Sequence, residues 1–205
     1  MAHLVLGGLE PERALGNFVG DAVKGSAWRS YPERVQEGIR LHRRIDALAD
    51  AHPAAQATRA DLRPRLGRWS GVALDLMHDH FLAKDFDRVT GFPGGLHAFV
   101  EEAHGVLLAQ RHRMPERSRG FLDAMVEQDW LRGYADREVM RGVCRAMDRR
   151  VSVRMGVASN LEEMWEVWEA HVAPAVWEQR FLGCWGDLRV RLAEEEGRGF
   201  CLSGE

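Results

Sequence analysis

Apolar residues return along this chain at every third or fourth position, with arginines and acids between them, as in helices that bury one face. Over residues 33–50 the pattern runs Val35, Ile39, Leu41, Ile45 and Leu48; Ser30 and Pro32 mark a start, and Pro53 follows the end. A second helix is expected over 70–83, carrying Val72, Leu76, Phe81 and Leu82 with Ser70 as its cap. Residues 95–111 place Leu96, Phe99, Val100, Ala103, Val106 and Leu107 at helical spacing, and the pattern repeats over 118–131 and 136–149 after breaks at Pro115 and Gly133. Asn160, Leu161, Glu162 and Glu163 read as a variant capping box. They open a long helix through Trp165 and Trp168 to Trp177 and Phe181, which Pro174 should kink or split. Period-two alternation is nearly absent; residues 3–9 are the one candidate strand, and they have no partner. Arg88–Gly95 is the clearest internal loop, and residues 194–205 read as a polar, frayed tail. The expectation is an all-α fold, one compact multi-helix domain over residues 1–193.

Composition narrows the classes. Of 205 residues, 45% are hydrophobic and 29% charged, enough to build a core and too apolar for wholesale disorder. Lys and Arg number 28 against 31 acids, a net charge of −3, which argues against a general nucleic-acid binder. No apolar run approaches the ~20 residues of a membrane span. The opening Met1-Ala2-His3-Leu4 has neither the charged nor the apolar region of a secretory signal. Cys144, Cys184 and Cys201 are odd in number and widely spaced, which points away from a disulfide framework and towards a reducing cytoplasm.

Candidate chemistry gathers in the first eighty residues. His42, Asp46 and Asp50 run at four-residue steps, and Asp75 and Asp79 repeat the step. Residues four apart share a helix face about 5–6 Å apart. At an effective dielectric near 20, two carboxylates there repel by roughly 3 kcal/mol before screening. Two such pairs, one led by a histidine, suggest a positive charge between them. A divalent metal suits imidazole and carboxylate donors; it would hold phosphate oxygens and lower the pKa of a coordinated water. The same spacing also fits solvated helix faces, with Asp75 paired to Arg44 or Arg68 and Asp50 in a loop. His80 follows Asp79 but points about 100° away from it on a helix, which suits a supporting group or a proton donor. His97, His104, His112 and His171 read as core or surface fillers, and the tryptophan spacings as packing. No nucleophile triad, P-loop or dinucleotide fingerprint is present.

Three segments together carry a resemblance. They are Ala2-His3-Leu4 with Gly16-Asn17-Phe18-Val19-Gly20-Asp21-Ala22-Val23-Lys24-Gly25; Gly38-Ile39-Arg40-Leu41-His42-Arg43-Arg44-Ile45-Asp46; and Leu74-Asp75-Leu76-Met77-His78-Asp79-His80-Phe81-Leu82. In these the chain resembles the acyl carrier protein phosphodiesterase family, densely over residues 2–83 and more thinly to about 185. The family is similar to the HD-domain phosphohydrolases. The resemblance implies an HD-like helical fold, a divalent cation (typically manganese), and hydrolysis of the phosphodiester between 4′-phosphopantetheine and a serine of holo-acyl carrier protein. It implies His3, Asp21, His42, Asp46, Asp75 and Asp79 as metal ligands, with Asp21 and Asp79 essential to catalysis and His80 as a candidate proton donor. Residue 78 is His where the family motif carries Trp, and no role is assigned to it; of the adjacent His-Asp pair that names the HD group, only the reversed Asp79-His80 is expected here. Gly16, Gly20 and Gly25 would allow close backbone approach to a ligand. Lys24, Arg43 and Arg44 are candidates to meet phosphate. The arginines of residues 40–68, Arg63 and Arg65 among them, would form a basic face for the acidic carrier protein. Two rivals stand beside this reading: an HD-type phosphohydrolase acting on a nucleotide or small phosphoester, and a non-enzymatic helical interaction protein.

Overall fold

Prolines and capping side chains decide where these helices begin. The computed structural model describes residues 1–170 and 174–197, and no strand occurs among them. Helix α1 (Ala2–Gly7) takes the segment expected as a lone strand. A strand there would leave its backbone groups unpaired, whereas a helix satisfies them internally. Glu10 caps α2 (Pro11–Val19), accepting from the backbone N–H groups of Glu12 and Arg13, with Pro11 in the first turn where its missing N–H costs nothing. Pro53 closes α3 (Glu33–Ala51) and also opens α4 (Pro53–Leu66), where His52 Nδ1 accepts the Ala54 N–H at 3.2 Å. Helix α5 (Ser70–Lys84) buries residues on nearly every side, Leu74, Met77, His80, Phe81 and Leu82 among them, which makes it the central rod. Ser70 is a buried first residue of this helix and makes no cap bond.

Short α6 (Phe86–Thr90) takes the first three residues of the expected loop and α7 its last, so the open turn is only residues 91–94. The chain continues through α7 (Gly95–Gln110), α8 (Glu116–Glu127), α9 (Trp130–Gly133) and α10 (Arg137–Met155). The stretch expected as one helix over 118–131 is broken at Asp129, which turns to φ 48°. Asn160 also adopts a left-handed conformation, so the expected capping box does not form. Asp148 accepts the Leu161 N–H instead, and α11 (Glu163–Ala170) starts later. Pro174 begins a separate helix, α12 (Pro174–Glu195).

All of these elements share one core, with Leu15, Ile39, Met77, Phe99, Trp165 and Trp177 fully enclosed. Helices α2 and α3 approach closely enough for Gly16 and Gly38 to touch: a Cβ on Gly16 would fall 2.0 Å from the Val35 carbonyl oxygen. Helix α1 packs on α2, α3 and α5, and α12 crosses α3, α4 and α5, so the first helix and the last face each other across α3 and α5. Glu195 and Glu196, inside the expected tail, ion-pair with Arg44 and Arg13; the remainder of that tail from residue 198, Cys201 included, lies outside the described residues, as does His171.

Candidate metal centre and active-site cleft

A cleft of about 440 Å³ opens between α1, α3, α5 and α12. One wall carries Asp21, His42, Asp46, Asp50, Asp75 and Asp79, and the other the apolar faces of Phe181, Trp185 and Leu188. The structure therefore brings all six expected ligands to one cavity, but not to one centre. His3, His42 and Asp46 each present a donor atom within 4.8 Å of the others, the one such trio among the described residues. His3 Nε2 lies 3.2 Å from one Asp46 oxygen and His42 Nε2 3.3 Å from the other. Asp21 reaches to 3.5 Å from His42 Nε2. The two imidazoles stack with centroids 4.0 Å apart.

Asn17 organises this trio, and the G-N-x-x-x-D string acquires a mechanical meaning. The Nδ1–H of His42 donates to the Asn17 carbonyl at 2.8 Å, while the Asn17 side-chain amide donates to the His3 carbonyl. Asn17 is 1% exposed. Gly20 leaves room for the His42 ring, since a Cβ there would sit 2.4 Å from its Cγ. The glycines expected to admit a ligand thus admit a neighbouring helix at Gly16 and an imidazole at Gly20; Gly25 turns the chain at φ 58°. With Nδ1–H committed, Nε2 of a neutral His42 ring aims a lone pair at two carboxylates. That convergence is favourable only with a proton or a cation between them. Burial works to lower the His42 pKa, but the facing Asp21 and Asp46 carboxylates prevail and push it up to about 9. Asp21 is held low chiefly by its contact with His42; Asp46 is also held low, where His3 and His42 outweigh its burial. Two imidazoles with carboxylates, one ring held by a carbonyl behind it, form a donor set that fits zinc, manganese or iron.

The α5 acids sit differently. Asp79 accepts from the Met1 ammonium at 3.0 Å and the Ala2 N–H at 3.3 Å. Asp75 is exposed to the cleft, but it stands on α5 with many protein atoms around it. Burial, reinforced by Asp79, Asp46, Asp50 and Asp21, raises its pKa to about 7. No cation of the described residues lies within ion-pair distance of it, so neither Arg44 nor Arg68 pairs with Asp75. Asp50, within α3 rather than in a loop, contacts Arg59 at 3.5 Å.

His80 does not reach the cleft, and the proton-donor role expected of it has no geometric support. It is 4% exposed, its Nδ1–H donates to the Tyr134 carbonyl at 2.8 Å, and its ring packs edge-on against Trp165. The 100° turn between successive helical residues carries it into the core. His78 is the histidine that lines the cleft beside Asp79; its ring lies 5.4 Å from Phe181, and burial lowers its pKa to about 4. None of the expected phosphate-binding or docking bases lines this cavity. Arg43 donates to the Val23 carbonyl at 2.9 Å and braces the Asp21 turn, and Arg44 pairs with Glu195 on another face. Arg65 lies 3.6 Å from Glu163, and Arg63 is exposed on α4. Lys24 lies across Asp21 from the cleft. The apolar wall, absent from the sequence reading, arises because residues 181, 185 and 188 share one face of α12. Cys184 on that wall is a buried thiol whose pKa burial pushes up to about 11, which leaves it unreactive.

The family described as acyl carrier protein phosphodiesterase matches residues 1–187. A protein named acyl carrier protein phosphodiesterase from Salmonella paratyphi A is 34% identical over 151 residues, 73% of this chain and 77% of the relative. Proteins of the same name from Salmonella agona and Salmonella dublin match to the same extent. No solved structure matches. The molecule is an all-α phosphodiesterase. More narrowly, the chain belongs to the acyl carrier protein phosphodiesterase family. No helix among its described residues is long and apolar enough to cross a membrane.

Proposed function

We propose that this protein hydrolyses the phosphodiester joining 4′-phosphopantetheine to a serine of holo-acyl carrier protein, returning the apo form, with a divalent cation (manganese by preference) held in the cleft. The observation that carries this reading is the His42 imidazole, fixed by the Asn17 carbonyl so that its free nitrogen faces Asp46 and Asp21. His3, His42 and Asp46 would hold the cation, with Asp21 at its edge. Such an ion activates water as a nucleophile and offsets charge on phosphoryl oxygens. The chain's own groups do the rest. Asn17 keeps both histidines oriented, because it grips His42 through its backbone and His3 through its side chain. Phe181, Trp185 and Leu188 keep water from one side of the cleft and offer an apolar surface along which a pantetheine arm can lie. Contrary to the expectation that only the reversed Asp79-His80 occurs, His78 and Asp79 form an adjacent His-Asp pair. Both line the cleft, and they support kinship with HD-type phosphohydrolases. The pairing of this chain with a carrier-protein substrate follows the names of its relatives, and a cytoplasmic setting follows only from its odd, widely spaced cysteines.

Mass spectrometry of holo-acyl carrier protein after incubation with the enzyme tests the reading. The expected result is loss of the prosthetic group, abolished by chelator and restored by manganese. Asp21→Ala should stop turnover while far-ultraviolet circular dichroism stays helical. Turnover that survives exhaustive chelation would defeat the metal. An unchanged carrier protein, with small phosphoesters cleaved, would favour the nucleotide or small-phosphoester hydrolase.

A further inference from the structure

Asp21 borders a second concavity on its outer side, of about 410 Å³, lined by Phe18, Ala22, Lys24, Arg117, Ser118 and Phe121. Its chemistry differs from that of the acid-lined cleft. Lys24 and Arg117 are exposed, and neither has an acid within ion-pair distance among the described residues. Phe121 is 48% exposed, unusual for so large an apolar side chain. It nonetheless packs on other rings, 5.9 Å from Phe18 and edge-on to Trp130 at 5.5 Å. Much of the arginine-rich stretch singled out by the sequence is spent internally. Arg40 pairs with Glu33, Arg44 with Glu195, Arg59 with Asp50 and Arg65 with Glu163. Four of the seven arginines over residues 40–68 are thus paired with acids and Arg43 is tied to a backbone carbonyl, while Arg63 and Arg68 face no acid among the described residues.

We propose that this ledge, formed by the turn at residues 20–24 and the start of α8, is the docking surface for an acidic face of the carrier-protein substrate. Lys24 and Arg117 meet its carboxylates and Phe121 its apolar ridge. The inference rests on the function proposed above, and the scissile bond itself supplies the argument for place. That bond joins phosphorus to a serine oxygen of the partner, so the partner's surface must come against the mouth of the cleft and not to a remote face. The ledge meets the cleft at Asp21, and it offers unpaired cations beside an exposed aromatic packed on two other rings, the combination that protein interfaces favour. The charges steer the encounter, and the ring sets how long it lasts.

The test uses full-length protein with manganese and two exposed substitutions, Arg117→Glu and Phe121→Ser, alone and together. Steady-state rates on holo-acyl carrier protein are measured at low and high salt, alongside a small chromogenic phosphodiester. The double variant should lose roughly tenfold in kcat/KM on the carrier protein at low salt, mostly through KM, and its salt dependence should flatten. Its rate on the small diester should stay within about twofold of the unmodified protein's, because the centre behind Asp21 is untouched. An unchanged KM in a protein that still strips the carrier overturns the ledge and leaves the function standing. A wild-type protein that neither binds nor strips the carrier overturns both. Sedimentation that shows a dimer, dissociated by Phe121→Ser, would assign the ledge to a second copy of this chain. Binding of a single-stranded RNA probe, lost with Arg117→Glu, would assign it to nucleic acid.

Discussion

The acids of α3 and α5 share one four-residue step and one cleft, yet they meet opposite surroundings. Asp46 on α3 faces two imidazoles and stays ionised far below the usual carboxylate range. Asp75 on α5 faces protein and other carboxylates, and its pKa climbs to about 7. Asp79, one turn on, follows a third course and is tied to the first two backbone nitrogens of the chain. Equal spacing thus selects acids that share a face, while the partner opposite decides whether each is an anion, a proton store or a tether. A cation in the cleft would bring Asp75 closer to the condition of Asp46, because it would supply the charge that α5 lacks.

The sharpest way to break this contrast is to move the imidazole. Gly20 has an ordinary right-handed backbone, so Gly20→Ala adds no φ strain and acts only by crowding His42. Turnover should fall roughly 100-fold and metal content with it, with the helical circular dichroism intact. Retained activity would show that His42 need not sit where it does. A smaller effect is expected on stability. Both Asp75 and His42 have raised values in the ion-free protein, so the stability each contributes is present below its ordinary pKa, 3.8 and 6.5, and is lost as pH rises through about 7 and about 9. The chelated protein should therefore melt lower at pH 9.5 than at pH 6. Asp75→Asn should raise the ion-free melting temperature at pH 8 by roughly 3–6 °C, a gain that shrinks when manganese is present. No rise at pH 8 would mean that Asp75 bears no penalty. The smallest catalytic effect belongs to His80. His80→Asn should cost about 1–3 kcal/mol of stability, read by denaturant unfolding, but change turnover by less than about threefold. A large rate loss in a folded His80→Asn protein would return it to the chemistry.

Helices α3, α5 and α7 were legible to within a residue or two because each is long and regularly patterned, with Pro32 and Pro53 bounding α3 and Gly94 preceding α7. Three others were not. Helix α1 has only six residues, too few for a period to show; α2 carries its glycine where an apolar residue would have marked the buried face. In α4 the buried positions are Ala55, Thr58, Leu62 and Leu66, two of them small or polar, and Pro64 lies within the helix. For the site, spacing alone found the acids of α3 and α5 and rightly turned His80 away from Asp79. His3 and Asp21 needed the family resemblance, since they reach the trio from other helices. Two of the acids that neutralise the arginine stretch, Glu195 and Glu163, were hidden by distance along the chain, Glu195 lying 151 residues from Arg44. Glu33 and Asp50, by contrast, lie only 7 and 9 residues from Arg40 and Arg59. His78 and the apolar wall of α12 depend on how helices cross, which no local pattern encodes. Asn17 left one usable signal, a polar residue between the apolar positions Leu15, Phe18 and Val19 of α2.

Trp185 borders the cleft while its indole N–H is fixed on the Val89 carbonyl at 3.1 Å. The chain has seven tryptophans, and the other six stand away from the cavity lining. The enzyme therefore carries its own optical gauge. A paramagnetic ion settling across from that indole quenches its emission, and an arm laid along it displaces water and shifts its colour. Loading and substrate entry can then be followed as two separate signals, by stopped-flow fluorescence, in unlabelled protein.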